Sequence, residues 1–183
     1  MTTLAVVLAA GAGRRFGGGK LHALFRGRPL LAWALEAAAG AGLDATVVVT
    51  GGEAVDDLVP AVVTAVANPR WAEGQATSLQ VAVAVAEPGS HDTLVVGLAD
   101  TPFVPTAAWT AVAAADGPIA VAEYDGLRRP PVRLDRSVWA LLPTEGDEGA
   151  RVLLRERPDL VTAVPCAGDP ADVDTRGDLA RWS

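Results

Sequence analysis

Short uninterrupted apolar runs alternate with longer Ala-rich segments along the first two thirds of the chain. An uninterrupted apolar run predicts a strand buried on both faces, because a strand with one covered face alternates apolar and polar side chains. Five such runs predict strands at residues 4–9, 45–49, 62–67, 93–98 and 118–122. The segments between them predict helices at 29–39, 53–58, 78–86 and 106–114.

The order of these elements predicts the fold class. Strands that alternate with helices pack as an α/β protein, here a three-layer α/β/α sandwich around a mostly parallel, Rossmann-like sheet. Pro29 suits the first turn of its helix, and Thr77 or Ser78 is available as the cap of another. Beyond Tyr124 the pattern is less regular, so we expect a small lobe that covers the carboxyl edge of the sheet. We predict a single domain over residues 1–183.

Composition and charge exclude several classes of function. With 183 residues, 50% of them hydrophobic, the chain has enough apolar side chains for one packed core. The net charge of -7 disfavours nucleic acid as a partner. One cysteine, Cys166, excludes an intrachain disulfide, and with two histidines it is too few for a zinc site. No signal peptide or membrane span is evident, so we expect a cytoplasmic protein without a membrane partner.

A glycine-rich loop at 11–20 follows the first predicted strand and contains five glycines, two arginines and Lys20. Ligands bind at the carboxyl ends of parallel strands, and such a loop can wrap phosphates with its backbone N–H groups. It is not a Walker A loop, because Arg14 stands at the first glycine position and Leu21 replaces the hydroxyl residue. Phe16 stands at the third glycine position of a dinucleotide fingerprint, which weakens that alternative without excluding it.

Carboxylates follow the fourth predicted strand and recur near the end of the chain. Asp100 could be a ligand of a hard cation such as Mg²⁺, or the cap of a turn before Pro102. The segment 169–178 holds several aspartates, of which Asp172 and Asp174 are candidate ligands or solvated side chains. The residues alone leave these alternatives open.

The loop resembles the signature of the molybdenum cofactor nucleotidyltransferases, which is L-A-A/G-G, three residues, Arg, any residue, Gly, two residues and Lys. Its positions are occupied by Leu8, Ala9, Ala10, Gly11, Arg15, Gly17 and Lys20. Four further segments resemble motifs of the same family: L-A-D-x-P at 98–102, N-P-x-W-x-x-G-x-x-S-S-L at 68–79, G-D-x-G-A-R at 146–151 and D-V-D-T at 172–175. The resemblance covers about the whole chain.

The resemblance implies a GT-A-like nucleotidyltransferase fold and assigns roles to residues. Arg15, Lys20 and Asp100 would be catalytic, and Asp100 and Asp174 would hold Mg²⁺ as the cofactor. Arg151 would bind the phosphate of the acceptor, although a surface ion pair with Asp147 or Glu148 is an equal alternative. The implied nucleotide-binding residues are Leu8, Ala9, Ala10, Gly11, Ala12, Gly13, Arg15, Lys20, Gly74, Thr77 and Ser78.

The implied reaction is transfer of CMP from CTP to the molybdopterin-bound molybdenum cofactor, with release of pyrophosphate and transient contact with a molybdoenzyme or its chaperone. Ala10 favours CTP, because guanylyl-transferring relatives usually have Gly there. Arg128 and Arg129 replace residues that are usual in relatives, so the acceptor is the least determined part of this hypothesis. The alternatives are a cytidylyl- or guanylyltransferase for another phosphorylated small molecule, a nicotine blue oxidoreductase-like NAD(P)H enzyme, and a non-catalytic nucleotide-binding module.

Overall fold

A computed structural model describes residues 1–88 and 91–182. The strands in these ranges are β1 (Thr3–Ala9), β2 (Leu24–Phe25), β3 (Arg28–Pro29), β4 (Ala45–Thr50), β5 (Thr64–Ala67), β6 (Thr93–Leu98), β7 (Ile119–Tyr124), β8 (Leu127–Asp135) and β9 (Val161–Pro165). The helices are α1 (Leu30–Ala39), α2 (Gln75–Ala86), α3 (Thr106–Ala114), α4 (Arg151–Glu156) and α5 (Arg176–Trp182). Seven strands form the central sheet in the order β5-β4-β1-β6-β8-β7-β9, and β2 pairs with β3 in a separate hairpin.

The central sheet is parallel except at β8, which pairs antiparallel with both β6 and β7. A two-residue turn joins β7 to β8, where Asp125 and Gly126 both have positive φ, 47° and 82°. Asp-Gly is a preferred pair for such a turn because its twist matches that of the strands it connects. The turn lies at the edge of the sheet where β1 and β6 end, so the first residues of β8 also lie at that edge.

Helices cover both faces of this sheet. In β1 the side chains of Ala5, Val7 and Ala9 pack in one core with α1 and α3. Leu4, Val6 and Leu8 point the other way and pack with α2, α4 and the 3₁₀ turn Arg136–Leu141. The predicted three-layer arrangement around a mostly parallel sheet is therefore confirmed. None of the helices in the described ranges combines the length and apolar composition needed to cross a membrane.

Several predicted element boundaries are wrong. The predicted helix at 53–58 is a three-residue 3₁₀ turn at Asp56–Leu58. Helix α2 begins at Gln75, so Thr77 and Ser78 lie inside it and are not its caps. Pro29 lies before the first helical residue of α1. The region after Tyr124 contributes β8 and β9 to the sheet, in addition to segments that cover it.

Candidate active site

Basic and acidic side chains meet at the carboxyl edge of the sheet, because β1 and β6 are adjacent and parallel. The buried Lys20, from the loop after β1, donates from Nζ to Asp100 Oδ2 at 2.7 Å and to Asp174 Oδ1 at 3.2 Å. Arg15 Nη1 lies 2.8 Å from Asp174 Oδ2, and the rest of its side chain is exposed. Two cations and two carboxylates thus form one ion-pair network.

The end of the chain brings further carboxylates to this network. Val173 is fully buried, and its N–H donates to the carbonyl of Asp100 at 2.9 Å. This contact places the flanking Asp172 and Asp174 next to Asp100, so that carboxylate oxygens of all three lie within 4.8 Å of one another. The structure therefore brings together the two predicted metal ligands and also Asp172, whose role the sequence left open.

The donor set fits a divalent cation. Asp100 Oδ1 is buried and has no hydrogen-bond partner among the described residues. A buried carboxylate oxygen without a partner is costly, and a bound cation would compensate for that cost. Three carboxylates in one place suit a hard cation such as Mg²⁺ or Mn²⁺, which prefers oxygen ligands.

Glu53 binds the two residues that follow the glycine-rich loop. The sequence predicted only that it lies in a helix and gave it no role in the site. Its Oε1 accepts from the N–H of Leu21 at 3.1 Å and lies 3.1 Å from His22 Nδ1. Hydrogen bonds to Glu53 and then to Asp57 raise the pKa of His22, so these bonds favour its protonated form. The ion pairs of His22 with Glu53 and Asp57 are therefore fully formed below the ordinary pKa of histidine, and they weaken as the pH rises through the raised pKa of His22.

A cavity of about 250 Å³, here called the loop cavity, opens beside the first residues of the loop. Five predicted nucleotide-binding residues line it together with Asp100: Leu8, Ala10, Gly11, Gly74 and Ser78. A smaller adjoining cavity of about 70 Å³ is lined by other predicted residues, among them Ala9, Gly13 and Lys20. The loop cavity thus extends from Trp71 and Gly74 to the ion-pair network.

Three predicted nucleotide-binding residues, Ala12, Arg15 and Thr77, lie outside the linings of both cavities, and of these Arg15 contacts the ion-pair network through Asp174. Ala12 lies so close to Gly52 that a Cβ on Gly52 would be 3.0 Å from the Cα of Ala12. The Thr77 hydroxyl donates to the carbonyl of Gly74 at 2.8 Å and accepts from Asn68 Nδ2 at 2.8 Å. Thr77 therefore fixes the backbone at the start of α2, and Asn68 also donates to the Ser78 hydroxyl at 3.0 Å.

A second cavity of about 250 Å³ lies on the same face of the sheet, and we call it the arginine cavity. Its floor is aliphatic, and it shares Leu8, Gln75 and Leu98 with the loop cavity. Four arginines from β8 and α4 surround it: Arg128, Arg129, Arg151 and Arg155. The two cavities are therefore neighbours, one beside the carboxylates and the other beside the arginines.

Two of these four arginines form ion pairs with carboxylates and two do not. Arg155 pairs with Glu148 at 3.0 Å, and Arg128 Nε lies 3.6 Å from a Glu123 oxygen. Within residues 1–88 and 91–182, neither Arg129 nor Arg151 has a carboxylate partner. Arg151 therefore makes no ion pair with Asp147 or Glu148 in the described residues, although its charge helps to lower the pKa of Glu148 after the larger effect of Arg155.

Comparison with known proteins gives matches along most of the chain. The family described as the MobA-like NTP transferase domain matches residues 5–161, which include the loop and Asp100. Nicotine blue oxidoreductase from Paenarthrobacter nicotinovorans is 33% identical over 195 residues, which cover 96% of this chain and 94% of that protein.

Solved structures with the same fold include Rv0371c from Mycobacterium tuberculosis H37Rv, with a TM-score of 0.86 and 30% identity over 99% of this chain and 97% of that one. A complex of Rv0371c with manganese matches with a TM-score of 0.79 and 27% identity over 100% and 98% of the two chains. A nucleotidyl transferase from Methanothermobacter thermautotroptrophicus matches with a TM-score of 0.81 and 23% identity over 98% and 95%, which supports the fold alone.

Proposed function

This chain belongs to the family of MobA-like NTP transferase domains, and from that premise we propose that it transfers CMP from CTP to a phosphorylated acceptor and releases pyrophosphate. We propose the molybdopterin-bound molybdenum cofactor as that acceptor. The observation that carries the proposal is the convergence of Lys20 and Arg15 with three aspartates beside the loop cavity. A triphosphate needs cations for its oxygens, and a divalent metal needs carboxylates in the same place.

Asp100 and Asp174 are the proposed ligands of Mg²⁺, with Asp172 as a third carboxylate beside them. The unpartnered Asp100 Oδ1 supports this assignment, and so does the manganese complex of Rv0371c. When bound there, the metal would supply positive charge that neutralises the phosphates of the nucleotide.

The chain's own residues would position the triphosphate and stabilise the leaving group. An oxygen of the acceptor phosphate attacks the α-phosphorus and forms a new P–O bond, while the bond to the β-phosphate breaks and pyrophosphate leaves with the electron pair. Lys20 and Arg15 would exchange their carboxylate partners for β- and γ-phosphate oxygens, where the negative charge grows. Because the acceptor phosphate is already an anion, the reaction needs positioning more than a general base.

The arginine cavity is the proposed acceptor site. It adjoins the loop cavity, so a molecule bound there can present its phosphate to the α-phosphorus. Arg129 and Arg151 lack carboxylate partners in the described part of the chain and can pair with that phosphate, since arginine binds phosphate through two parallel N–H groups. The aliphatic floor would hold the remainder of the acceptor.

Arg151→Ala tests the acceptor site. Loss of one charge-assisted hydrogen bond costs about 1.5–3 kcal/mol, so we expect KM for the acceptor to rise by about tenfold or more. KM for CTP and kcat should change little, because Arg151 does not line the loop cavity. Steady-state kinetics of pyrophosphate release measure all three values. Arg157→Ala is the matched control, since Arg157 pairs with Asp159 at 2.8 Å outside both cavities; an equal effect in the control would refute the assignment.

Nucleotide choice is tested by the melting temperature with CTP, GTP, ATP or UTP, each with and without Mg²⁺. A ligand at about a hundred times its Kd stabilises the fold by about 2.7 kcal/mol, which corresponds to a rise of about 5–10 °C for a domain of this size. We expect that rise for CTP with Mg²⁺ and a much smaller one for the other nucleotides. A rise with GTP alone would move the proposal to guanylyl transfer, and no rise with any nucleotide would overturn it.

Nicotine blue oxidoreductase activity is the second candidate, because the relative of that name is 33% identical over 96% of this chain. It would require a nicotinamide cofactor at the glycine-rich loop. Phe16 occupies the third glycine position of the dinucleotide fingerprint and is buried with Phe25, Leu30 and Val173. The cluster of three aspartates also serves a metal and a triphosphate better than hydride transfer. Oxidation of NAD(P)H in the presence of a quinoid dye would favour this candidate over the transferase.

A further inference from the structure

The three segments that supply the site also meet in one aromatic cluster, formed by Phe25, Phe103 and Trp182. Phe25 follows the loop that carries Lys20, Phe103 follows Asp100, and Trp182 ends helix α5. The rings of Phe25 and Phe103 pack edge to face with centroids 5.2 Å apart, and those of Phe103 and Trp182 do so at 5.6 Å. The ion-pair network is thus accompanied by a second junction of the same three chain segments.

Arg26 strengthens this junction. Its guanidinium lies over the rings of Phe25 and Phe103, at 5.1 Å and 5.4 Å from their centroids, and Arg26 Nε donates to the carbonyl of Trp182 at 3.3 Å. Cation–π contacts and edge-to-face ring pairs both stabilise packing beyond what the burial of the rings alone provides. The last residue of α5 is therefore held by a ring contact of its side chain and by a hydrogen bond to its carbonyl.

Helix α5 depends on such contacts. It has seven residues, which is too short to be stable without packing against the rest of the protein. The segment before it, from residue 166 to 175, belongs to no strand or helix. Asp172 and Asp174 therefore lack the support of a strand, whereas Asp100 lies two residues after the end of β6.

Asp178 connects α5 to the metal-binding carboxylates. Its Oδ2 accepts from the N–H of Asp174 at 3.1 Å and from the N–H of Thr175 at 2.8 Å. A displacement of α5 would move Asp178 and with it the backbone of Asp174. The contacts thus run without interruption from Trp182 through α5 and Asp178 to the backbone of Asp174.

We propose that Trp182 is a positioning residue for the metal site, because its packing against Phe103 and its bond to Arg26 fix α5 and thereby the carboxylate of Asp174. This inference rests on the proposed metal-binding role of Asp100 and Asp174. Part of the metal affinity then depends on Trp182, which lies at the C-terminal end of α5 and is not itself a metal ligand.

The test measures binding of Mn²⁺ alone to the full chain, from the electron paramagnetic resonance signal of the free ion. Loss of the support behind metal ligands typically costs about 10–100-fold in affinity, so Trp182→Ala should weaken Mn²⁺ binding by about tenfold or more. Trp182→Phe keeps an aromatic ring against Phe103 and should restore most of the affinity. Asp178→Asn keeps the size of the side chain and removes its charge, and it should weaken Mn²⁺ binding as well.

Trp33→Ala is the matched control. Trp33 packs edge to face on Phe25 at 5.7 Å and under the guanidinium of Arg28, so it contacts the aromatic cluster from helix α1 and not from α5. It should lower the melting temperature and leave the Mn²⁺ affinity unchanged. Equal losses of affinity in Trp33→Ala and Trp182→Ala, or no loss in Trp182→Ala, would overturn the proposal. If Trp182→Ala does not fold, unchanged Mn²⁺ affinity in Asp178→Asn overturns it.

The same assay separates this inference from the proposed function. Asp100→Asn must weaken Mn²⁺ binding if the aspartates hold the metal at all. Unchanged affinity in Asp100→Asn would refute the metal site itself, whereas lost affinity there with full affinity in Trp182→Ala would refute only the role of Trp182.

Discussion

Asp100→Asn should lower the rate of pyrophosphate release from CTP about a thousandfold, because a metal contributes several kcal/mol to the transition state and about 1.4 kcal/mol is a factor of ten in rate. The amide keeps the shape of the side chain but removes the charge that faces Lys20 and the other two aspartates. The backbone carbonyl of Asp100, which accepts from Val173, is unchanged, so the C-terminal segment should stay in place.

The measurement is a coupled assay of pyrophosphate with CTP, Mg²⁺ and acceptor. Circular dichroism and the melting temperature show whether the variant is folded. Asp159→Asn is the matched control, because Asp159 is an exposed aspartate paired with Arg157 away from both cavities. Activity close to that of the unmodified protein in Asp100→Asn would remove the metal from the proposed mechanism.

Lys20→Met should act in opposite directions on catalysis and on metal binding. The transfer rate should fall by about a hundredfold or more, since a fixed positive charge no longer neutralises the departing pyrophosphate. Binding of Mn²⁺ in the absence of nucleotide should become tighter, because Lys20 Nζ is the group that now occupies Asp100 Oδ2 and Asp174 Oδ1. The ammonium group and the metal compete for the same oxygens.

Arg14→Met is the control for Lys20→Met. Arg14 is an exposed cation of the same loop without a fixed place in the family signature, and both measured quantities should stay near their original values. A weaker Mn²⁺ affinity in Lys20→Met would mean that the lysine organises the aspartates instead of competing for them. An unchanged transfer rate would remove Lys20 from the proposed mechanism.

The sequence predicted the layers of the fold because buried parallel strands leave a strong apolar pattern. It missed β8 although the signal was present, since Asp125-Gly126 is a preferred hairpin turn and the apolar residues after it could have been read as a strand. Pro130 and Pro131 in the same strand hid that pattern, because proline is rare inside sheets.

For the site, the sequence supplied the residues but not their mutual contacts. Lys20, Asp100 and Asp174 came from motifs, whereas Glu53 carries no motif and is identified only by its hydrogen bonds to Leu21 and His22. The same is true of Trp182, whose role depends on where α5 packs. Long-range contacts of this kind are set by tertiary packing, which local patterns do not encode.

The turn between β7 and β8 has a consequence for how such proteins diverge. Because β8 runs against its neighbours, Arg128 and Arg129 reach the carboxyl edge from a different part of the chain than the glycine-rich loop and Asp100. Under the proposed function, mutations near the tip of this hairpin change the acceptor site and leave the proposed donor residues Lys20 and Asp100 intact. Under that proposal, descendants of one ancestral transferase can keep the same nucleotide donor and differ in the molecule that accepts the nucleotidyl group.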